Sequence, residues 1–276
     1  MNPPIIALLT DFGTDDPYVG IMKSVLAEIS PDSTFIDLTH QIPPGDIQRG
    51  AFALWQSALD LPQGSVFLAV VDPGVGTDRK GIILNCGGQT FIGPDNGLFS
   101  YLLYKKEYQA WELTNPKYQL SLPSSTFHGR DIFAPAAAHA AQSISGEQFG
   151  RRVTSINRLP DPRLFMEEKT LTGEVLSNDR FGNLFTSIGR FQKSKASNMF
   201  FDSWINKGYC EIHTQSQVII TINDQTMPLV KTFGALTDST CAGVIGSTGL
   251  LEIVCNQGSA AEILGLNRGD SVLFQW

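Results

Sequence analysis

The sequence predicts an α/β chain in two parts, an N-terminal α/β domain with a central mixed sheet over 1–160 and a smaller C-terminal β-barrel over 161–276. Three observations predict it. Through the first half, short β-rich runs alternate with amphipathic helical stretches, the pattern of an α/β layer fold. Between Phe149 and Lys169 the periodicity gives way to polar residues with Pro160 and Pro162, which reads as a linker or arm. Beyond it come brief strand-like runs separated by turn residues, the texture of a small barrel.

Taken in order, Ile5–Leu9, Thr34–Leu38 and Ser65–Val71 are expected strands. Between the first two, Asp16 and Pro17 form an N-cap and N1 pair, and Val19, Met22, Val25, Leu26 and Ile29 recur at helical spacing. A second helix follows Gly45, with Ile47, Ala51, Leu54 and Ala58 on one face, and a third runs from Asp131 through Gln142. In the second half, Leu171–Ser177, Gln217–Ile222, Val244–Gly246, Leu250–Val254 and Ser271–Phe274 are expected strands. Asp179-Arg180-Phe181-Gly182 and Asn267-Arg268-Gly269-Asp270 are expected turns.

With 276 residues, 42% hydrophobic and 17% charged, the chain can bury an ordinary core. No apolar run approaches the roughly 20 residues of a membrane helix. Met1–Pro4 leads into the first strand with no basic n-region or cleavage site, so a soluble, cytoplasmic protein is expected. A net charge of −7 and a pI near 5.1 oppose a large nucleic-acid interface and favour a small-molecule partner. Cys86, Cys210, Cys241 and Cys255 are scattered, each in or beside an apolar segment, so reduced thiols are expected rather than a disulfide scaffold or zinc site.

The densest polar signal is Val71-Asp72-Pro73-Gly74-Val75-Gly76-Thr77-Asp78-Arg79, directly after an apolar strand. Ligands of open α/β sheets bind beyond the carboxyl ends of strands, and two glycines let backbone approach a ligand. A solvated tight turn is the plain alternative. The segment is neither a dinucleotide fingerprint nor a Walker loop. Thr126-Phe127-His128-Gly129-Arg130-Asp131 precedes an Ala-rich helix, placing the His128 imidazole where it can face a ligand, with Asp131 readable as an N-cap. Thr10-Asp11-Phe12-Gly13 ends the first strand, and the Asp11 carboxylate can accept from both hydroxyls of a ribose. Asp11-Phe12-Gly13 and His128-Gly129-Arg130-Asp131 do not make a kinase, because their order is reversed and no glycine-rich loop precedes them. His40 follows a strand end and can border the site. In the second half, Asn183 and Phe185 are types that pair with and stack on a base, and Gly246-Ser247-Thr248-Gly249 offers backbone donors for an amino-acid head group.

Together with Gly93-Pro94-Asp95-Asn96-Gly97 and Asp179-Arg180-Phe181-Gly182-Asn183, these segments resemble the S-adenosylmethionine hydroxide adenosyltransferases, hydrolytic relatives of the fluorinase and chlorinase. The resemblance keeps the family's motif order from the first strand to Asp270. It implies hydrolysis of S-adenosylmethionine to adenosine and methionine, no cofactor or metal, and a homotrimer with sites at subunit interfaces. By motif it implies that Asp72, Arg79 and His128 hold the attacking water, and that Asp11 binds the ribose. Asp179, Asn183 and Phe185 fall at the methionine end, the adenine and the aromatic wall. Ser247 matches a carboxylate contact, Glu252 an ammonium partner, and the backbone around Cys255–Gln257 the adenine edge. Two departures from the halogenating relatives lean the same way: Thr248 stands where they place an arginine, and the fluorinase's long insertion is not apparent. The rival expectations are a halogenase on the same scaffold and a protein that binds S-adenosylmethionine or adenosine without turnover.

Overall fold

The computed structural model describes residues 3–193, 198–206, 208–213 and 217–276; Met1 and Asn2, which bear on the expected absence of a leader, lie outside the described residues. The chain divides into two compact units, Met1–Leu159 and Pro160–Trp276.

The first unit comprises β1 (Ile5–Thr10), α1 (Tyr18–Ile29), β2 (Thr34–Thr39), α2 (Ile47–Asp60), β3 (Val66–Val70), β4 (Gly81–Cys86), β5 (Gln89–Pro94), β6 (Tyr108–Glu112), α3 (Ala134–Ala141), α4 (Gly146–Phe149) and β7 (Arg152–Val153). Its sheet has seven strands in the order β2-β1-β3-β5-β4-β6-β7. The β1–β2, β1–β3 and β3–β5 pairs are parallel, and the β4–β5, β4–β6 and β6–β7 pairs antiparallel. Every residue of β3 is buried, as a central parallel strand covered on both faces requires. On one face, Ile6, Leu8, Leu68 and Val70 pack against Met22, Val25 and Leu26 of α1 and the small Ala134, Ala136, Ala137 and Ala138 of α3. Strand alternation sends Ala7 and Leu9, both fully buried, to the other face.

Two helix starts differ from expectation. α1 begins at Tyr18 because the Pro17 carbonyl accepts the first helical N–H, from Ile21; Pro17 occupies the cap position and no side chain caps the helix, so Asp16 is not the N-cap. The third helix begins earlier than Asp131, with a π-helical turn over Gly129–Phe133 that runs into α3. Asp131 is not a cap either, since its carboxylate is turned back onto the preceding loop.

The second unit holds β8 (Leu164–Glu167), β9 (Thr170–Asn178), β10 (Leu184–Thr186), β11 (Phe191–Lys193), β12 (Met199–Asp202), β13 (Tyr209–Ile212), β14 (Ile219–Ile222), β15 (Gln225–Val230), β16 (Cys241–Ile245), β17 (Leu251–Cys255), α5 (Ala260–Leu264) and β18 (Ser271–Gln275). Seven strands, β10-β17-β16-β15-β14-β18-β9, close into a barrel because β9 pairs back onto β10. Along one edge β9 takes β8 over Thr170–Gly173 and β10 over Val175–Asn178. Closure pairs the edges that an open sheet would leave exposed. Strands β11, β12 and β13 form a separate antiparallel sheet. The expected linker is partly regular structure: β7 and β8 lie within it, and Asn157 is tied by two hydrogen bonds to Asp95.

The expectation of four reduced thiols is corrected. Cys241 and Cys255 face each other across the antiparallel β16–β17 pair and are joined as a disulfide. Their sequence separation of 14 carries no sign of this register. Cys86 and Cys210 are free, and burial pushes both thiols above their ordinary pKa.

Candidate active site

Asp11 and Asp72 follow the carboxyl ends of the neighbouring parallel strands β1 and β3. Both side chains therefore leave the same end of the sheet. Asp72 is closed off from solvent, with its side chain 5% exposed, and Arg79 is 11% exposed. The guanidinium grips the carboxylate through Nε, 2.9 Å from both oxygens, and through Nη2, 2.5 Å from Oδ2. The same Nη2 lies 2.7 Å from Nδ1 of His128, so the acid, the guanidinium and the imidazole form one chain. A guanidinium only donates, so Nδ1 of His128 accepts and the ring hydrogen sits on Nε2. Burial first, then the Arg79 charge, lower the His128 pKa against the opposing pull of Asp72 and Asp131; the imidazole stays neutral.

Three local features bring these loops together. Gly76 has φ +80°, and a Cβ there would lie 2.5 Å from the Ser125 carbonyl oxygen, so only glycine lets the Asp72–Arg79 loop rest against the loop that bears His128. The buried Asp131 carboxylate accepts the Ser124 N–H at 2.7 Å and pairs with Arg130 at 2.6 Å, closing the His128 loop on itself. Phe133 lies beneath the Arg79 guanidinium, 5.2 Å from ring centre to Cζ. The sequence reading missed the roles of Phe133 and Asp131. Phe133 carries no polar signal, and Asp131 also fits a helix cap.

Asp11 is anchored by the Gly45 N–H, 2.8 Å from Oδ2, and Pro73 packs beside that same Gly45. Burial raises the Asp11 pKa, the Gly45 bond opposes the rise, and the Asp72 charge adds to it. Asp11 thus lies within electrostatic reach of the Asp72 chain.

In the second unit, Asp179 organises its turn. Oδ1 accepts the N–H groups of Phe181 and Asn183 at 2.8 and 2.9 Å, and Oδ2 accepts the Asn183 amide at 2.8 Å. Phe185 pairs across the ladder with Glu252. Burial, reinforced by the Asp179 charge, raises the Glu252 pKa to about 7. The Glu252 carboxyl presses on Gly246, where a Cβ would lie 1.7 Å from Oε1, so the turn bearing the exposed Ser247 begins against this carboxyl. Cys255 ends β17 within the disulfide, and Gln257 is exposed at φ +52° in the segment that leads to Ser259, which packs on Gly182. Asp179, Asn183, Phe185 and Glu252 are thus neighbours and Ser247 lies beside them, while Gln257 sits two residues before Ser259, which packs on the Gly182 turn.

The other residues weighed from sequence are placed elsewhere. His139 lies in α3 with its ring against Tyr118, and His213 is exposed. Among the described residues no group of three or more His, Cys, Asp or Glu is arranged to hold a metal, and no helix is long and apolar enough to cross a membrane. A cleft of about 1000 Å³ between the β4–β5 turn, β6 and β7 lies at the opposite end of the sheet from Asp72 and contains none of the expected site residues.

The chain thus joins an α/β unit that carries an acid–guanidinium–imidazole chain at its strand ends to a unit built on a closed barrel. Residues 6–150 match the model of the SAM hydroxide adenosyltransferase N-terminal domain and residues 173–273 that of its C-terminal domain; the chain belongs to this family. It is 39% identical over 274 residues to the (R)-S-adenosyl-L-methionine hydrolase of Thermus thermophilus, covering 96% of each chain. It is 28% identical to the fluorinase of an Actinoplanes species, covering 98% of this chain and 96% of that one. The crystal structure of an uncharacterized conserved protein from Thermotoga maritima superposes with a TM-score of 0.86 at 32% identity, covering 98% of this chain and all of the other.

Proposed function

We propose that this chain hydrolyses S-adenosylmethionine to adenosine and methionine by attack of water on the ribose C5′, in line with the departing sulfur. The observation that carries this reading is the Asp72–Arg79–His128 chain, a polar, charge-compensated nest suited to a water molecule. A halide would instead need a pocket free of competing polar groups. Family membership and the identity to hydrolases, higher than to the fluorinase, support the same reading.

The water oxygen forms a bond to C5′, the C5′–S bond breaks, and its electron pair neutralises the sulfonium. The water's proton leaves to Asp72. Nδ1 of His128 is engaged by Arg79, so the imidazole serves as an Nε2–H donor that fixes the water oxygen, while the carboxylate retains lone-pair capacity beside its three contacts from Arg79. Arg79 balances the Asp72 charge and favours a hydroxide-like nucleophile. Because the sulfonium is already a good leaving group, alignment carries the catalysis, and such positioning supplies roughly 7–11 kcal/mol in favourable systems.

Asp11 binds the ribose hydroxyls, Asp179 and Glu252 the methionine ammonium end, Ser247 the carboxylate, and Asn183, Phe185 and the Cys255–Gln257 backbone the adenine. The relatives' names specify the R form, so the R sulfonium epimer is proposed as the preferred substrate. The reaction so written uses no cofactor or metal, and chelation is expected to leave the rate unchanged. A cytoplasmic homotrimer is the proposed state, to be checked by light scattering of the purified protein and by fractionation.

Incubation with the separated epimers in oxygen-18 water tests the whole reading. Label in the 5′-hydroxyl of adenosine supports it. Formation of 5′-chloro-5′-deoxyadenosine in chloride buffer, or saturable binding with no product over hours, overturns it.

A further inference from the structure

A second line of polar side chains stands beside Asp11 and is used by none of the steps above. Thr10, the last residue of β1, is fully buried, and its Oγ1 lies 2.8 Å from Nδ1 of His40. The other imidazole nitrogen lies 3.0 Å from Oδ1 of Asp37, whose Oδ2 receives the Lys23 ammonium at 2.6 Å. His40 itself is 5% exposed. The order hydroxyl, imidazole, carboxylate is that of a nucleophilic triad, but a fully buried hydroxyl cannot reach an external substrate.

The hydrogen-bond roles point to a different task. The Asp37 carboxylate accepts the His40 Nε2 hydrogen; in that neutral tautomer Nδ1 accepts the Thr10 hydroxyl hydrogen, while Thr10 Oγ1 itself accepts the Phe12 N–H at 3.2 Å. The His40 carbonyl accepts the Gly13 N–H at 2.8 Å. Asp11 lies between these fixed points: Phe12 and Gly13 are tied to Thr10 and His40, and the Asp11 carboxylate to Gly45. Each donor in the line has one acceptor, so the arrangement is directional and fixes the loop in one conformation.

We infer that Thr10, His40 and Asp37 form a positioning relay that aims the Asp11 carboxylate at the sugar hydroxyls and so sets discrimination between ribose and deoxyribose. The inference rests on the reading of Asp11 as the ribose ligand. None of the three touches substrate; they act through the backbone of residues 11–13.

The test compares the binding of adenosine and 2′-deoxyadenosine by calorimetry in the full-length protein, its Asp11→Ala variant and relay variants. The unaltered protein is expected to prefer adenosine by roughly 10–100-fold, the worth of a hydrogen bond to a charged group. Thr10→Val keeps the shape but removes the hydroxyl and is expected to bring that ratio to within about threefold of unity, with a raised KM for S-adenosylmethionine. Thr10→Ser restores the hydroxyl and the ratio. Asp37→Leu, at the more exposed end of the line, serves if Thr10→Val fails to fold, and is expected to lower the ratio in the same direction. A merely structural role would reduce the active fraction and leave the ratio unchanged. If Asp11→Ala loses discrimination while Thr10→Val and Asp37→Leu keep it, the relay is overturned and the ribose reading stands. If the unaltered protein shows no preference, or Asp11→Ala retains it, the ribose reading falls and the relay with it.

Discussion

The polar cluster of the α/β unit and that of the barrel unit are built on opposite electrostatic plans. Around Asp72 the carboxylate is matched at once by Arg79, and the guanidinium is shared with a neutral imidazole. Around Glu252 the neighbouring charge is another carboxylate, Asp179, which adds to burial in raising the Glu252 pKa. A compensated cluster is ready for a neutral guest such as water, whereas an uncompensated pair is relieved by a cationic one. The contrast separates a carboxylate already matched by a cation from one held beside a second acid, so substitutions in the two clusters are expected to respond differently to pH and charge.

The largest effect is expected at the compensated cluster. Asp72→Ala removes the proton acceptor and leaves Arg79 unpaired, and turnover should fall by about 10²–10⁴-fold while adenosine binding persists. His128→Ala should cost about 10²-fold, since it removes a donor rather than the acceptor. Single-turnover assays of adenosine formation beside calorimetric titration separate rate from binding. Unchanged rates in both variants would show that the cluster is a structural clamp.

Next in size is Gly76→Ala. The new methyl meets a backbone carbonyl, which cannot swing aside as a side-chain tip does, and it must adopt a positive φ. We expect a loss of about 1–3 kcal/mol in stability. Turnover should fall with it, because the Arg79–His128 contact depends on the two loops meeting. Wild-type turnover in a folded Gly76→Ala protein would mean that the contact is dispensable.

What the sequence disclosed follows from the same physics. Asp11, Asp72 and Arg79 sit in loops beyond apolar strands, whereas Phe185 and Glu252 lie within β10 and β17, and an unbroken run such as Val66–Val70 marks a central strand whatever lies around it. Asp11, Asp72, Arg79, His128, Asp179 and Asn183 were legible as polar types in loops, but their pairing was not. Arg79 and His128 are 49 residues apart and meet only because β3 and the turn before α3 share one end of the sheet. β11, β12 and β13 escaped because strands of three or four residues give too short a window for periodicity. The Cys241–Cys255 bridge escaped because cross-strand register is set by the barrel. The start of α1 was misplaced by the Asp16-Pro17 signal, since Pro17 caps the helix with its own carbonyl.

The smallest effect, and the one that tests the contrast most directly, is at Glu252. Its pKa in the folded protein is raised to about 7 from the ordinary 4.5. Between those two values the folded state holds a proton that the unfolded state has lost, so stability falls as pH climbs through this window and is lowest above it. Glu252→Gln abolishes that slope and should make the protein more stable than wild type by about 1 kcal/mol at pH 8, a figure discounted for partial solvation, with no difference at pH 4. Binding should move the opposite way. At pH 8 the ionised Glu252 attracts the substrate ammonium, so Glu252→Gln should raise KM by about tenfold. At pH 5.5 the wild-type carboxyl is itself protonated, and the two KM values should converge. Gly246→Ala should give a milder version of the same shift with little loss of stability, because the methyl displaces only the flexible tip of Glu252. A KM ratio that stays constant from pH 5.5 to 8 would show that the Glu252 charge does not meet the substrate, and the two clusters would no longer differ in the way their electrostatics suggest.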